Sequence, residues 1–289
     1  MQIGIIGIGL MGHSIAANLQ RAGHVIGFLD HPQNQPADDL LQNGAKAHAT
    51  IASLTQASQT IILCVTGTPE VEQCVAGKGG ILETPASDLL VIDCSTSLPD
   101  STRKLAVSAA EHGITYVDAA MTGTTKSAAN AALGFLVGAS DKSFSRARPI
   151  LEPSAKSVLH VGDVGSGHAL KLLHNCVSLG WAAIVADVSV TARHAGIAPE
   201  TLAEVLDAGA GHGTILDRLK PYMCDGDTGQ FEFTISNSTK DLSYFQQMVR
   251  DQGRDSELVG TLLDMYQAAS KDDYGARFAP ELAEHISKK

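Results

Sequence analysis

The chain has 289 residues, five cysteines and a formal net charge of −10 at pH 7. With 44% hydrophobic and 18% charged residues it is neither disordered nor fibrous, and its length suits two domains, each able to bury a core without disulfides or structural metal. The acidic balance, without any Lys/Arg cluster, argues against nucleic acid or an anionic membrane as partner, because polyanions are held by clustered basic side chains.

In chain order, residues 2–6, 25–29, 60–65, 89–93 and 115–118 are short β-rich runs separated by helical stretches. Strands that alternate with helices need crossover connections and therefore pair in parallel. Runs at 133–137 and 157–161 flank a helical piece at 142–151 and are candidates to extend the same sheet. From 167 to 194 the sequence is apolar on nearly every face, the pattern of a helix buried on all sides. Lys171, His174, Asn175 and Asp187 within it argue against a membrane span, since such groups are costly in lipid. Residues 199–207, 213–223, 239–252 and 256–271 are helical in pattern, with glycine-rich breaks between them. The expected architecture is an α/β domain with a mostly parallel sheet over 1–162, followed by an all-α domain over 163–289, joined by the long buried helix.

The five cysteines, Cys64, Cys74, Cys94, Cys176 and Cys224, form no C-x-x-C pair and no metal-ligand spacing. They read as reduced, buried thiols, which fits a cytoplasmic protein and gives no reason to expect a metal site. The chain opens directly into an apolar run with no basic segment or cleavage site before it, so a soluble protein is expected.

Gly7-Ile8-Gly9-Leu10-Met11-Gly12 lies between the first predicted strand and the first predicted helix. In that context G-x-G-x-x-G marks a Rossmann-type dinucleotide-binding domain. Gly7 permits the tight turn, Gly9 lets the backbone approach a pyrophosphate, and Gly12 allows close helix packing, while the helix starting at Leu10 and Met11 offers its free N–H groups to the phosphates. A plain strand-to-helix turn is the other reading. Asp30 ends the second predicted strand, 23 positions after Gly7, where an acidic residue binds the ribose hydroxyls and repels a 2′-phosphate. His31 stands where an NADP enzyme would want an arginine, so NAD is preferred over NADP, with dual use left open by partial charge on His31. Asp30 is also explicable as a strand end before Pro32. Val65 and Thr66, at the end of the third predicted strand, join the expected cofactor contacts.

Gly165-Ser166-Gly167-His168-Ala169-Leu170-Lys171-Leu172-Leu173-His174-Asn175 is the most informative stretch. Lys171 and Asn175, four apart, share one helix face, with Ser178 further along it. An ammonium in an apolar helix needs a reason, because burying an unpaired charge is expensive. Catalysis is one: carbonyl reduction develops negative charge on oxygen, which a positioned ammonium stabilises and protonates, and in reverse a neutral amine accepts the hydroxyl proton. Asn175 adds one donor and one acceptor to orient substrate. The other reading is a lysine that snorkels to solvent at the helix edge.

Together with Asp93-Cys94-Ser95-Thr96, Asp118-Ala119-Ala120-Met121-Thr122-Gly123-Thr124, and Phe233 followed by Lys240-Asp241-Leu242, these motifs resemble the β-hydroxyacid dehydrogenase family over almost the whole chain. That family includes 3-hydroxyisobutyrate dehydrogenases and tartronate semialdehyde reductases. The resemblance implies an NAD-dependent oxidoreductase interconverting a small β-hydroxy acid and its semialdehyde, with Lys171 as acid/base and Asn175 as its partner. It further implies Thr122 and Gly123, with Thr124, on the substrate carboxylate, Thr96 near the nicotinamide ribose, and Lys240 with Asp241 closing the cleft on substrate and cofactor. A homodimer or homotetramer is implied as well. From the residues alone, Thr122-Gly123-Thr124 serves equally as a carboxylate cradle or an ordinary turn.

The chain departs from the family pattern in three places. Where the family usually reads Asp-Ala-Pro-Val-Ser-Gly-Gly, it carries Ala120, Met121, Thr122 and Thr124, losing a proline and a glycine and adding bulk, which bears on the substrate more than on the reaction class. Ala131 replaces a glycine after this loop, and His174-Asn175 replaces paired asparagines. The last pair, with Gly-Ser-Gly-His before it, also resembles 6-phosphogluconate dehydrogenases. A second reading is therefore a decarboxylating sugar-acid dehydrogenase with His174 on the substrate; otherwise His174 is a satisfied helix histidine. Imine reductases share the glycine fingerprint and buried helix but usually carry Asp or Tyr in place of Lys171. A non-catalytic NAD-binding protein has only the altered loop in its favour. His212, in Gly-Ala-Gly-His-Gly, reads as loop.

Overall fold

A computed structural model describes residues 1–86 and 88–288. Among these, eight strands form one sheet: β1 (Gln2–Ile6), β2 (Val25–Leu29), β3 (Lys46–His48), β4 (Thr60–Leu63), β5 (Leu90–Asp93), β6 (Thr115–Thr122), β7 (Leu133–Gly138) and β8 (Ala155–Gly162), in the order β3-β2-β1-β4-β5-β6-β7-β8. The first six pair in parallel, β7 runs antiparallel to β6, and β8 is parallel to β7. β4 and β5, apolar except for Thr60 and Asp93 at their ends, are buried along their whole length, as strands covered on both faces are.

The intervening helices are α1 (Leu10–Arg21), α2 (Asp38–Gln42), α3 (Ile51–Gln56), α4 (Thr68–Ala76), α5 (Pro99–Glu111), α6 (Thr125–Ala129) and α7 (Asp141–Leu151). One core gathers Ile5, Leu19, Phe28, Ile92 and Phe135; another gathers Ile61, Leu63, Val91, Leu105 and Ile114. The chain runs from β1 outward to β2 and β3, then crosses back to β4 on the other side of β1. That reversal puts a topological switch point at the C-terminal end of β1, where open α/β sheets bind ligands.

The chain divides into two compact units, Met1–Lys171 and Leu172–Lys289. α8 (Ser166–His194) begins in the first and continues in the second, followed by α9 (Pro199–Ala208), α10 (Thr214–Asp225), α11 (Ile235–Asp251), α12 (Glu257–Ala269) and α13 (Leu282–Ser287). The helical core includes Leu179, Leu216, Phe231, Leu242, Tyr266 and Leu282. Tyr266 is enclosed there, and its hydroxyl donates to the Leu179 carbonyl at 3.1 Å, which satisfies its one polar atom.

Three features depart from the sequence pattern. β3 and α13 are additional elements, too short to show a period. β6 runs on to Thr122 because β7 pairs with it antiparallel from Asp118↔Gly138 to Thr122↔Gly134. α8 is not buried on all sides: Leu173, Val177, Ile184 and Val188 are exposed, Val177 at 74%. Apolar composition does not distinguish a face covered by its own chain from one that its own chain leaves bare. By length and composition α8 would also span a bilayer, though it carries Lys171, His174, Asn175 and Asp187. All five cysteines are free thiols, and of these Cys94 is the one fully buried.

Candidate active site

β1 ends at Ile6 and α1 starts at Leu10, so Gly7-Ile8-Gly9 is the entire turn. Gly7 has φ +94°, and a Cβ there would sit 2.3 Å from the Cys64 carbonyl oxygen. A Cβ at Gly12 would lie 2.0 Å from the Gly7 carbonyl oxygen, so α1 packs on the turn because this residue has no side chain. Gly9 differs: nothing lies within 4 Å of the Cβ position, and it caps α1 without a side-chain acceptor. The first-turn N–H groups of Leu10 and Met11 are thus left uncapped by a side chain, as an anion at a helix N-terminus requires. The Cys64 thiol accepts a hydrogen bond from the Gly12 N–H, yet burial pushes it up to about 12, leaving an unreactive thiol under the turn.

The loop after β2 is tied to this turn by the Gln35 N–H, which donates to the Ile8 carbonyl at 2.9 Å. Asp30 is exposed at the end of β2, its N–H donating to the His48 carbonyl at 2.8 Å, and His31 Nδ1 accepts from the Gln33 N–H at 3.2 Å. Phe28, Asp30, His31, Gln35, Pro36 and Ala47 line an open depression of about 450 Å³. Val65 follows β4 and donates its N–H to Ser95 Oγ at 3.1 Å; Thr66 is exposed and Thr96, after β5, is half-buried. Asp30, His31, Val65, Thr66 and Thr96 all lie past the C-terminal ends of parallel strands. The open Gly9, the uncapped first turn of α1 and the depression beside Asp30 fit a dinucleotide.

Beneath this edge lies a buried polar network. Asp93 at the end of β5, Asp118 in β6 and His168 in α8 are all 0% exposed. Asp118 Oδ1 accepts from the Gly165 N–H at 2.7 Å and Oδ2 from the His168 N–H at 2.8 Å, so its carboxylate caps the start of α8. Asp93 accepts from the Tyr116 hydroxyl at 2.8 Å and the Ser95 N–H at 2.9 Å. His168 Nε2 stands 3.9 Å from Asp93 Oδ2, and Nδ1 is 2.7 Å from Thr102 Oγ1. The Thr102 hydroxyl gives its proton to the Leu98 carbonyl at 3.1 Å, so His168 Nδ1 is the donor to Thr102. Burial pushes the Asp118 carboxyl up against the opposing pull of His168 and the two N–H bonds; burial, with Asp93 beside it, holds the Tyr116 phenol far above its ordinary value. The sequence pattern gives none of these residues a role. The signal that points to the two aspartates is a carboxylate within a mostly apolar strand, Asp93 in β5 and Asp118 in β6.

Lys171 is half-buried on α8, one turn beyond His168. In the second unit, Asn175 Nδ2 donates to Asp241 Oδ2 at 2.6 Å, and Asn175 Oδ1 lies 2.9 Å from His174 Nδ1. Asp241 is 2% exposed on α11, and its Oδ1 is 2.8 Å from Lys240 Nζ, which also lies over the Tyr244 ring. One carboxylate therefore links Lys240 to Asn175, a partner the sequence does not reveal. α11 is set by Thr234, whose hydroxyl accepts from the Asn237 N–H at 3.2 Å. His212 is exposed and pairs with Asp207 at 2.8 Å. Among the described residues no group of three or more His, Cys, Asp or Glu is arranged to hold a metal ion.

Residues 2–162 match the family described as the NAD binding domain of 6-phosphogluconate dehydrogenase, and residues 165–282 the one described as NAD-binding of NADP-dependent 3-hydroxyisobutyrate dehydrogenase. The chain is 33% identical over 244 residues to 2-(hydroxymethyl)glutarate dehydrogenase of Eubacterium barkeri, covering 84% of this chain and 80% of that protein. It is 31% identical over 248 residues to 3-hydroxyisobutyrate dehydrogenase of Pseudomonas aeruginosa, covering 83% and 82%. The chain belongs to the β-hydroxyacid dehydrogenase family. The solved structure of Mycobacterium tuberculosis 3-hydroxyisobutyrate dehydrogenase with L-serine matches it with a TM-score of 0.87 at 26% identity, over 99% of this chain and 98% of that one.

In this β-hydroxyacid dehydrogenase two hydrogen bonds flank the glycine of the altered loop. Thr122 ends β6 and its hydroxyl donates to the Gly134 carbonyl at 3.3 Å. Gly123 has φ +124°, and the Thr124 hydroxyl caps α6 by accepting from the Ser127 N–H at 3.1 Å. Ala131, where the family pattern has glycine, sits at φ +53°, a left-handed conformation that costs a residue with a Cβ about 1 kcal/mol.

Proposed function

We propose that this β-hydroxyacid dehydrogenase interconverts a small β-hydroxy acid and its semialdehyde, using Lys171 as acid/base and NAD in preference to NADP. The observation that carries the proposal is Lys171 itself, half-buried on a helix whose start is anchored by the buried Asp118 carboxylate. In reduction the ammonium delivers its proton to the oxygen that gains charge; in oxidation the neutral amine takes the hydroxyl proton. Asn175, one turn further along the helix, orients substrate oxygen, with Thr122, Gly123 and Thr124 on the carboxylate and His174 and Lys240 as further substrate contacts. Gly7, Gly9, Gly12 and the N–H groups of Leu10 and Met11 would hold the pyrophosphate, Asp30 and His31 the adenosine ribose, and Val65, Thr66, Thr96 and Lys240 the nicotinamide half. When bound, that cofactor supplies the hydride acceptor or donor. The preference for NAD rests on the exposed Asp30 carboxylate, which would repel a 2′-phosphate.

A substrate panel run with NAD and NADP in parallel tests this reading: 3-hydroxyisobutyrate, glycerate, 2-(hydroxymethyl)glutarate, serine, succinic semialdehyde and sulfonated lactaldehyde. The expected result is turnover of at least one of them, with kcat/KM about tenfold or more higher with NAD. Silence across the panel, or a preference for NADP, would refute it. His174 beside Asn175 favours one second reading, a decarboxylating sugar-acid dehydrogenase; carbon dioxide release from 6-phosphogluconate in the same panel would select it.

The placement of the pyrophosphate makes a separate prediction. Gly9→Ala adds a Cβ with nothing within 4 Å of it, so it should leave Tm within about 2 °C while weakening NAD binding about tenfold or more in calorimetry. Normal NAD affinity in that variant would contradict the placement. The exposed apolar stripe of Leu173, Val177, Ile184 and Val188 supports assembly as a homodimer or homotetramer, and the free thiols support a cytoplasmic setting.

A further inference from the structure

We propose that Asn18 is a positioning residue: it seats the loop at 122–124 from the helix that follows the dinucleotide turn, so that substrate carboxylate and cofactor are held against one common element. Asn18 lies on α1 among Ile15, Ala16 and Leu19 and is 2% exposed. A buried amide needs partners, and packing within the first unit supplies them. Its Nδ2 donates to the Ala128 carbonyl at 2.9 Å and to Ser154 Oγ at 3.3 Å, while its Oδ1 accepts from Arg21. A carbonyl only accepts and a guanidinium only donates, so the orientation of the amide is fixed from both sides. Ala128 is 110 residues away in the chain, near the end of α6, and is itself buried.

The Ala128 carbonyl is where α6 closes. It also accepts from the Ala131 N–H at 3.2 Å, the residue whose φ of +53° is strained for any side chain. The Ser127 carbonyl beside it accepts from the Ala132 N–H at 2.8 Å. At the other end Thr124 caps the helix through the Ser127 N–H, and a Cβ on Gly123 would stand 3.0 Å from the Ser127 Cβ. With five residues α6 is too short to hold itself, so its seat depends on tertiary partners. Asn18 pins that seat, and Gly123 and Thr124 are fixed with it. The same α1 opens at Leu10, about 12 Å before Asn18 along the helix axis, on the turn formed by Gly7, Ile8 and Gly9. One helix therefore indexes both the glycine turn and the altered loop. That the loop takes a carboxylate rests on the hydroxy-acid reading of the site; the anchoring does not.

Asn18→Leu fills the same space and removes the donor. In the full-length protein without substrate, backbone hydrogen exchange should speed up about tenfold or more at Ala131 and Ala132, while the His13 N–H, bonded to the Gly9 carbonyl, keeps its native protection. Steady-state assays with 3-hydroxyisobutyrate, or with the acid of the panel turned over fastest, should show KM for the acid raised about tenfold, kcat within about threefold of native, and NAD affinity unchanged in calorimetry. If the leucine variant does not fold, Asn18→Ala removes the same donor without added bulk and is compared instead. Arg21→Ala takes away only the partner of Asn18 Oδ1 and should leave exchange and KM native. Unchanged exchange at Ala131 and Ala132, an unchanged KM, or the same losses in Arg21→Ala overturn the proposal. An amide that merely stabilised α1 would lower Tm and leave KM of the folded enzyme alone. Accelerated exchange with silence across the acid panel would sink the hydroxy-acid reading and leave the anchoring standing, whereas an active panel with native KM in the variant would sink this proposal alone.

Discussion

Lys171→Ala lowers turnover of the hydroxy acid by about 10²-fold or more, with kcat and kcat/KM falling together and NAD affinity unchanged. The parallel fall is expected because, on the proposed reading, the ammonium would act on an oxygen that carries charge only as the reaction proceeds, whereas the glycine turn before α1, proposed to hold the pyrophosphate, lies elsewhere in the same unit. Lys171→Arg separates the two directions. A guanidinium stays protonated, so it still stabilises the developing oxyanion in reduction but cannot accept the hydroxyl proton in oxidation. Oxidation by the arginine variant should therefore remain as low as in the alanine variant, while reduction recovers in part. Steady-state assays in both directions, with calorimetry for NAD, read these values. Near-normal turnover in Lys171→Ala would remove Lys171 from the acid/base role.

Asp118→Asn destabilises the fold by roughly 2–4 kcal/mol, since an asparagine oxygen can satisfy one of the two N–H groups at the start of α8 while its NH₂ opposes the other. Asp118→Ala leaves both donors buried without an acceptor and costs about 3–5 kcal/mol. The pH dependence has a definite sign. Burial raises the Asp118 carboxyl above its ordinary 3.8, so the fold favours the protonated form. A group raised in this way contributes its full stabilisation below the ordinary value and loses it as pH climbs through the raised one. The stability gap between native protein and Asp118→Asn should accordingly narrow as pH rises from about 4 towards neutrality. Urea melts across that range measure it; a gap that widens would mean that the two N–H bonds outweigh burial.

The first domain was legible because its information is local. β1, β2, β4 and β5 are mostly apolar runs of four or five residues, broken only by Gln2, Thr60 and Asp93 at their ends, as strands covered on both faces of a parallel sheet tend to be. Gly7, Gly9 and Gly12 declare themselves by spacing, and the structure shows a different steric demand at each. Lys171 and Asn175 stand four apart on a helix that the sequence also marks out. Period, turn chemistry and helix spacing are all written within about ten residues.

What tertiary structure alone decided is which distant groups meet. That β7 enters the sheet antiparallel, drawing β6 out to Thr122, depends on pairing between strands and not on either strand's composition. Asp118 could have capped any turn; packing brings it to the first turn of α8. Asp241 looks like half of a Lys-Asp pair until the fold sets it against Asn175. The bare stripe on α8 was hidden for the same reason, since apolar residues report that a face avoids water without saying what covers it. Hydrogen-bond partners far apart in sequence carry no shared local pattern, so only the folded chain specifies them.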